Sequence, residues 1–86
     1  MKTYIITGIN WNREIKIDET LFDTHLDACI EAATRILENS SNFPEDEDLT
    51  NILIVNEKNK QNHVMLSTAA VLRNAGKYAA AEVFEQ

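Results

Sequence analysis

Residues 21–38 read Leu-Phe-Asp-Thr-His-Leu-Asp-Ala-Cys-Ile-Glu-Ala-Ala-Thr-Arg-Ile-Leu-Glu, and this stretch decides the fold of the chain. Its apolar side chains recur at intervals of three and four residues, which is the period of one helix face. They are Phe22, Leu26, Cys29, Ile30, Ala33, Ile36 and Leu37. Upstream, Thr20 and Asp23 have the spacing of a capping box, with Asp in place of Glu. The sequence therefore predicts an amphipathic helix over residues 21–38, which ends at the polar residues 39–42.

The residues before this helix have the composition of a β-hairpin. Residues 3–9 are rich in β-branched and aromatic side chains, which favour strands. Residues 13–17 alternate polar and apolar side chains, so one face of that segment is expected to be buried. The turn-prone residues 10–12 separate the two segments. Gly8 is isolated, so it marks a bulge or a bend and not a nucleotide-binding loop.

A second hairpin and further helix follow. Residues 43–50 form an acidic connector, in which Pro44 and the acids after it suit a single helical turn. Residues 51–55 contain a continuous apolar run after Asn51, typical of a strand that is central or buried on both faces. Polar residues 56–62 then lead to a strand at 63–66. Helix formers follow Ser67, but Gly76 interrupts them, which predicts either two short helices (68–75 and 77–85) or one weakened helix.

The order of these elements predicts an α+β fold in a single small domain, residues 1–86. The ββαββα order is most simply packed as a four-stranded, mostly antiparallel sheet with the helices on one face. For the C-terminal segment, both a break at Gly76 and a single weakened helix are compatible with this order. The other face of the sheet would then be open unless a partner or a second copy covers it.

Charge is strongly segregated along the sequence. Residues 18–48 hold ten of the chain's 14 acidic residues and one base, Arg35, whereas the rest of the chain has a surplus of bases. Such an acidic segment repels nucleic acid and anionic membranes and attracts basic protein surfaces. The sequence therefore predicts no direct nucleic-acid binding and no membrane binding. The absence of a long apolar run and the single cysteine predict a cytoplasmic protein.

The acidic segment supplies most of the candidate partner-binding residues. On the predicted helix, carboxylates spaced over about 22 Å share one face without interspersed lysines. They continue into the connector, and the whole set is Asp23, Asp27, Glu31, Glu38, Glu45, Asp46, Glu47 and Asp48. A rigid row of carboxylates can compete with the phosphates of duplex DNA for a basic cleft. In size and charge the chain is similar to small acidic inhibitors encoded by phages and mobile elements.

Two other features are candidates for chemistry or binding. His25 and Cys29 are four residues apart on the helix, a spacing that can supply two ligands to zinc. Two more ligands would be needed and His63 is the only other strong candidate, so the sequence predicts no metal site, no cofactor and no catalytic residue. Trp11 is at the predicted tip of the first hairpin, where it would either anchor a partner or fold back on the sheet.

These observations favour a non-enzymatic interaction module, an inhibitor, adaptor or regulator that binds a basic protein surface, in particular that of a nucleic-acid-binding protein. The alternative is a structural or assembly subunit that forms a homodimer through the open sheet face or the Ala-rich C-terminal helix. A small enzyme is the least favoured interpretation, because no catalytic motif is present.

Overall fold

A computed structural model describes residues 1–39, 50–58 and 62–85 of the chain. Within these residues the predicted ββαββα order is confirmed, and a short 3₁₀ helix (Glu19–Leu21) precedes the first α-helix. The elements are strands β1 (Lys2–Thr7), β2 (Asn12–Ile17), β3 (Ile52–Glu57) and β4 (His63–Ser67), and helices α1 (His25–Glu38), α2 (Thr68–Asn74) and α3 (Tyr78–Val83). The acidic connector lies outside the described residues except for Thr50.

The strands form one sheet in the order β2-β1-β3-β4, and each pair of neighbours is antiparallel. β1 is central and lies between β2 and β3, with Tyr4 opposite Ile15 on one side and Glu57 on the other. β2 and β3 consequently run parallel to each other, and α1 makes the crossover between them. The predicted antiparallel sheet is therefore confirmed.

The helices pack on one side of the sheet, which we call the covered face. Alternate strand residues point into it, and those that are buried are Tyr4, Ile6, Ile17, Leu53, Val55, Glu57 and Leu66. α1 contacts all four strands. α2 contacts β4, and α3 packs against α2. On the opposite, open face, Ile54 and Met65 stand directly across from each other and are 40% and 60% exposed. The prediction of helices on one face is thus confirmed.

The first α-helix begins later than the sequence predicted. Thr24 is its N-cap, and the Thr24 side chain accepts a hydrogen bond from the backbone N–H of Asp27 over 3.1 Å. The predicted cap at Thr20 is wrong, because the backbone N–H and hydroxyl of Thr20 both donate to Asp18 in the 3₁₀ turn. The capping-box spacing occurs twice in succession, and the second occurrence starts the helix.

The face of α1 that meets the sheet is also rotated relative to the predicted stripe. Its buried residues are Ala28, Cys29, Ala32, Ala33 and Leu37. Leu26 is 48% exposed, and Ile30 is only partly buried at the margin of the core. Alanines have no long side chain to hold the two backbones apart, so the helix can approach the sheet through them. The prediction from sequence periodicity placed the larger apolar residues on the buried face and therefore missed this rotation.

Of the two alternatives for the C-terminal segment, the structure shows two short helices separated at Gly76. α2 ends at Asn74, and Gly76 has a positive φ of 78°, which an L side chain rarely adopts. The backbone N–H of Gly76 donates to the Arg73 carbonyl, and that of Lys77 donates to the Leu72 carbonyl. These two bonds form a Schellman motif, which satisfies carbonyls at the helix end. The chain then turns into α3, where Ala81 is buried.

Candidate functional site

The carboxylates of α1 lie on the side of the helix that faces away from the sheet. Asp27 and Glu38 are exposed, and Glu31 is partly buried beside Arg35, whose Nε donates to the Glu31 carboxylate over 2.9 Å. Asp23 precedes the helix and is also exposed. We call Asp23, Asp27, Glu31 and Glu38 the acidic face. Within the described part of the chain, the only ion pair of this face is the one between Glu31 and Arg35.

A groove lies next to the acidic face, where α1 approaches the end of α2. Its lining combines apolar, acidic and neutral polar side chains: Phe22, Asp27, Ile30, Glu31, Thr34 and Asn74. The hydroxyl of Thr34 is buried there and has no hydrogen-bond partner among the described residues. The chemistry of this lining suits a lysine or arginine, because the aliphatic stem of such a side chain can pack on apolar groups while its charge meets the carboxylates.

The remaining acidic candidates, Glu45, Asp46, Glu47 and Asp48, lie outside the described residues. Their contribution to a continuous anionic surface stays a prediction from the sequence.

Trp11 is folded back over the turn between β1 and β2. The backbone N–H of Gly8 donates to the Trp11 carbonyl, and a Cβ added at Gly8 would lie 2.2 Å from the Trp11 indole nitrogen. The ring is partly buried against the core, and the Arg13 guanidinium lies 5.8 Å from its centroid. Gly8 is therefore required by the close approach of this ring, and part of the indole still reaches solvent.

A second group of polar side chains gathers at one end of the covered face. Lys2 and Tyr4 come from β1, Glu19 from the 3₁₀ helix, His25 from the first turn of α1, and Glu57 from the last position of β3. We call these five residues the polar cluster. The register of the sheet brings these side chains together. Tyr4 is opposite Glu57, and Lys2 is opposite Ile17, which comes shortly before Glu19.

Hydrogen bonds and ion pairs connect the members of the polar cluster. The Tyr4 hydroxyl donates to the Glu19 carboxylate over 2.5 Å and lies 3.4 Å from Nδ1 of His25. The Lys2 ammonium is 3.1 Å from a Glu57 carboxylate oxygen and 4.0 Å from one of Glu19. The bond to Glu57, then the charge of Glu19, raises the pKa of Lys2, which therefore stays protonated.

Burial is the main cause of the raised pKa values of Tyr4 and of Cys29, which lies beside the cluster. Burial, then the bond to Glu19, raises the pKa of Tyr4 well above its usual value. The pKa of Cys29 is raised to about 11, first by burial and then by the charges of Glu19 and Glu57. The Cys29 sulfur lies 3.5 Å from Nε2 of His25. A thiol with so high a pKa is protonated at neutral pH and is a poor nucleophile.

The sequence identified His25 and Cys29 as neighbours but missed Glu19 and Glu57, whose carboxylates lie beside His25. Glu57 was assigned to a polar loop, whereas β3 continues through it because it pairs with Tyr4. The signal was present, since Leu53, Val55 and Glu57 continue the period of two along the covered face. His63, which the sequence offered as the only other strong candidate for a metal ligand, pairs with Asn56 and points to the open face.

Comparison of the chain with models of protein families, with curated proteins and with solved structures found no match. None of the helices in the described ranges combines the length and apolar character that crossing a membrane requires.

Proposed function

We propose that this protein is a non-enzymatic interaction module, an inhibitor, adaptor or regulator, whose acidic face binds a basic protein surface. The observation that carries the proposal is the placement of Asp23, Asp27 and Glu38. All three are exposed, and none of them takes part in a salt bridge with another described residue. Their charge is therefore not neutralised by ion pairs within the described part of the fold.

The rotation of α1 supports this proposal. Because the alanine side of the helix packs on the sheet, Asp27, Glu31 and Glu38 project from one rigid helix face over about 16 Å. Fixed carboxylates at such spacings can stand in for nucleic-acid phosphates, so the basic cleft of a nucleic-acid-binding protein is the partner that this surface suits best. Electrostatic attraction of this kind acts mainly on the association rate.

The test compares two variants of equal net charge. Asp23→Asn/Asp27→Asn/Glu38→Gln removes three charges from the acidic face, and Glu14→Gln/Glu82→Gln/Glu85→Gln removes three charges elsewhere. Partners are captured on the protein from a cell extract at low and high salt and identified by mass spectrometry. The association rate of a purified partner is then measured against salt for both variants.

We expect slower association and a smaller salt dependence for the acidic-face variant alone, because salt screens exposed charges. Equal behaviour of the two variants would show that only net charge matters, and unchanged binding by both would reject the acidic face as the binding surface.

A second candidate function is self-association through the open face. It is favoured by Ile54 and Met65, which are exposed and adjacent across β3 and β4, so that a two-fold contact would bury them against a second copy. Sedimentation analysis at high salt tests this candidate. A dimer that persists at high salt and is lost in Ile54→Lys/Met65→Lys supports it, and a monomer at every accessible concentration rejects it.

A further inference from the structure

The polar cluster brings two carboxylates and an imidazole close together on the covered face. One ligand atom each from Glu19, His25 and Glu57 lies within 4.8 Å of the other two. Three atoms with that separation share a point at most about 2.8 Å from each, and bonds from zinc to nitrogen or oxygen are about 2.0–2.2 Å long. Small side-chain rotations therefore suffice to bring all three atoms within bonding distance of one metal ion.

The two carboxylates of the cluster favour a cation at this place. Glu57 is only 8% exposed, and a second carboxylate, that of Glu19, lies beside it. Two carboxylates held together repel each other unless a positive charge lies between them. The ammonium of Lys2 supplies that charge, but the Lys2 side chain is 48% exposed and can swing into solvent. A divalent ion in its place would balance both carboxylates.

The surroundings have the features of a supported metal site with an entrance. Tyr4 is fully buried, and its hydroxyl orients the Glu19 carboxylate, the kind of outer contact that fixes metal ligands. Cys29 lies behind the imidazole of His25. A cavity lined by Glu19, His25, Glu57 and Asn62 opens the cluster to solvent, so an ion has a path to it.

We infer that Glu19, His25 and Glu57 form a binding site for Zn²⁺, in which the metal replaces the ammonium of Lys2. The imidazole nitrogen selects zinc over magnesium and calcium, which prefer oxygen ligands alone. Three protein ligands leave the fourth tetrahedral position of zinc to water. Binding requires neutral His25 and releases Lys2 to solvent as a charged ammonium.

The experiment is a titration of the full chain with zinc chloride, followed by the imidazole NMR signals and by the thermal unfolding temperature. We expect the His25 signals to shift at one equivalent while those of His63 do not, and the unfolding temperature to rise by several degrees because zinc binds the folded state. Magnesium chloride at the same concentration should have no such effect. Absence of any zinc response, or an equal response to magnesium, would overturn the inference.

Variants locate the site. His25→Ala should weaken zinc binding about tenfold or more, and His63→Ala, which changes the other histidine, should bind as the parent does. His25 is exposed, so its replacement leaves the fold intact, which circular dichroism without zinc verifies. Lys2→Met removes the competing ammonium, so it should be less stable without zinc and should gain more from zinc than the parent. Zinc binding that survives in His25→Ala, or that weakens in Lys2→Met, would contradict the site.

Discussion

The two faces of the sheet are built from the same strands but have different roles. Leu53 is fully buried on the covered face, whereas the next residue along β3, Ile54, is 40% exposed on the open face. Residues 52–55 are apolar on both sides, so the sequence could not distinguish a strand buried on both faces from one that is only central in the sheet. The structure shows that β3 is central, and that the helix layer alone decides which apolar side chains leave water.

The strongest test of this difference is a pair of neighbouring substitutions. Leu53→Ala should reduce the free energy of unfolding by about 2–5 kcal/mol, because it leaves a cavity beneath α1. Ile54→Ala should cost about 1 kcal/mol or less, because its side chain is already partly in water. Urea denaturation of the two variants measures both effects. Equal losses would contradict the comparison and show that something covers the open face.

A second test uses alkaline pH, because Tyr4 on the covered face and Cys29 packed against it are two groups whose ionisation burial suppresses. The pKa of Cys29 is raised in the fold from 9.0 to about 11, and that of Tyr4 is raised as well. A raised pKa means that folding stabilises the protonated form, so this stability is complete below the unfolded-state pKa and is lost as pH rises through the folded-state value. For Cys29 that window runs from about pH 9 to 11, with a loss of up to about 2 kcal/mol.

The measurement is the free energy of unfolding at pH 7, 9 and 10.5. Cys29→Ala should lose less stability over this range than the parent. The matched open-face variant, Met65→Ala, should follow the parent curve. A curve for Cys29→Ala that falls as steeply as that of the parent would show that the thiol does not contribute.

A third test concerns the helix layer that distinguishes the two faces. Gly76→Ala should destabilise the protein by about 1 kcal/mol, because alanine disfavours the positive φ. Apart from its two chain neighbours, no described residue has a heavy atom within 4 Å of the added methyl position, so the loss comes from the backbone and not from a clash. Thermal unfolding measures it. An increase in stability would mean that the chain can continue as one helix through this position.

The smallest effect is expected on the open face. Lys58 and Glu14 form an ion pair of 3.5 Å, with side chains 49% and 51% exposed. Exposed pairs contribute little, so Lys58→Gln should change the free energy of unfolding by about 0.5 kcal/mol or less. Urea denaturation in low and high salt measures it. A loss above about 1 kcal/mol would show that this part of the open face is shielded from solvent.

Much of the fold was predictable because periodicity and turn residues report local structure well. The strand order along the chain, the break at Gly76 and the single helix layer all followed from such patterns. The start of α1 did not, since Thr20 and Thr24 have the same spacing to an aspartate and only the 3₁₀ turn at Asp18 decides between them. The rotation of α1 was missed because the prediction considered hydrophobicity alone. The small alanine side chains form the buried face because they allow the helix to approach the sheet closely.

The two candidate sites also differ in how far the sequence could predict them. The acidic face could be read from the sequence, because three of its residues are neighbours on one helix and Asp23 lies just before that helix. The polar cluster could not, because Glu19 and Glu57 are far apart in the chain and are brought together only by the pairing of β1 with β3. His25 was singled out together with Cys29, and the only other strong candidate ligand, His63, lies on the opposite face of the sheet.

The central position of β1 also bears on how the chain is assembled during synthesis. β1 can pair with β2 at once, but its other edge stays unpaired until β3 has been made, since Ile6 meets Val55 across a long stretch of chain. Closing such a long loop costs entropy before any contact compensates for it, which slows folding. Pairing of β1 with β3 should therefore be the late, rate-limiting event of folding. Until it occurs, the nascent chain exposes an unpaired edge of β1, which can pair with strands of other nascent chains.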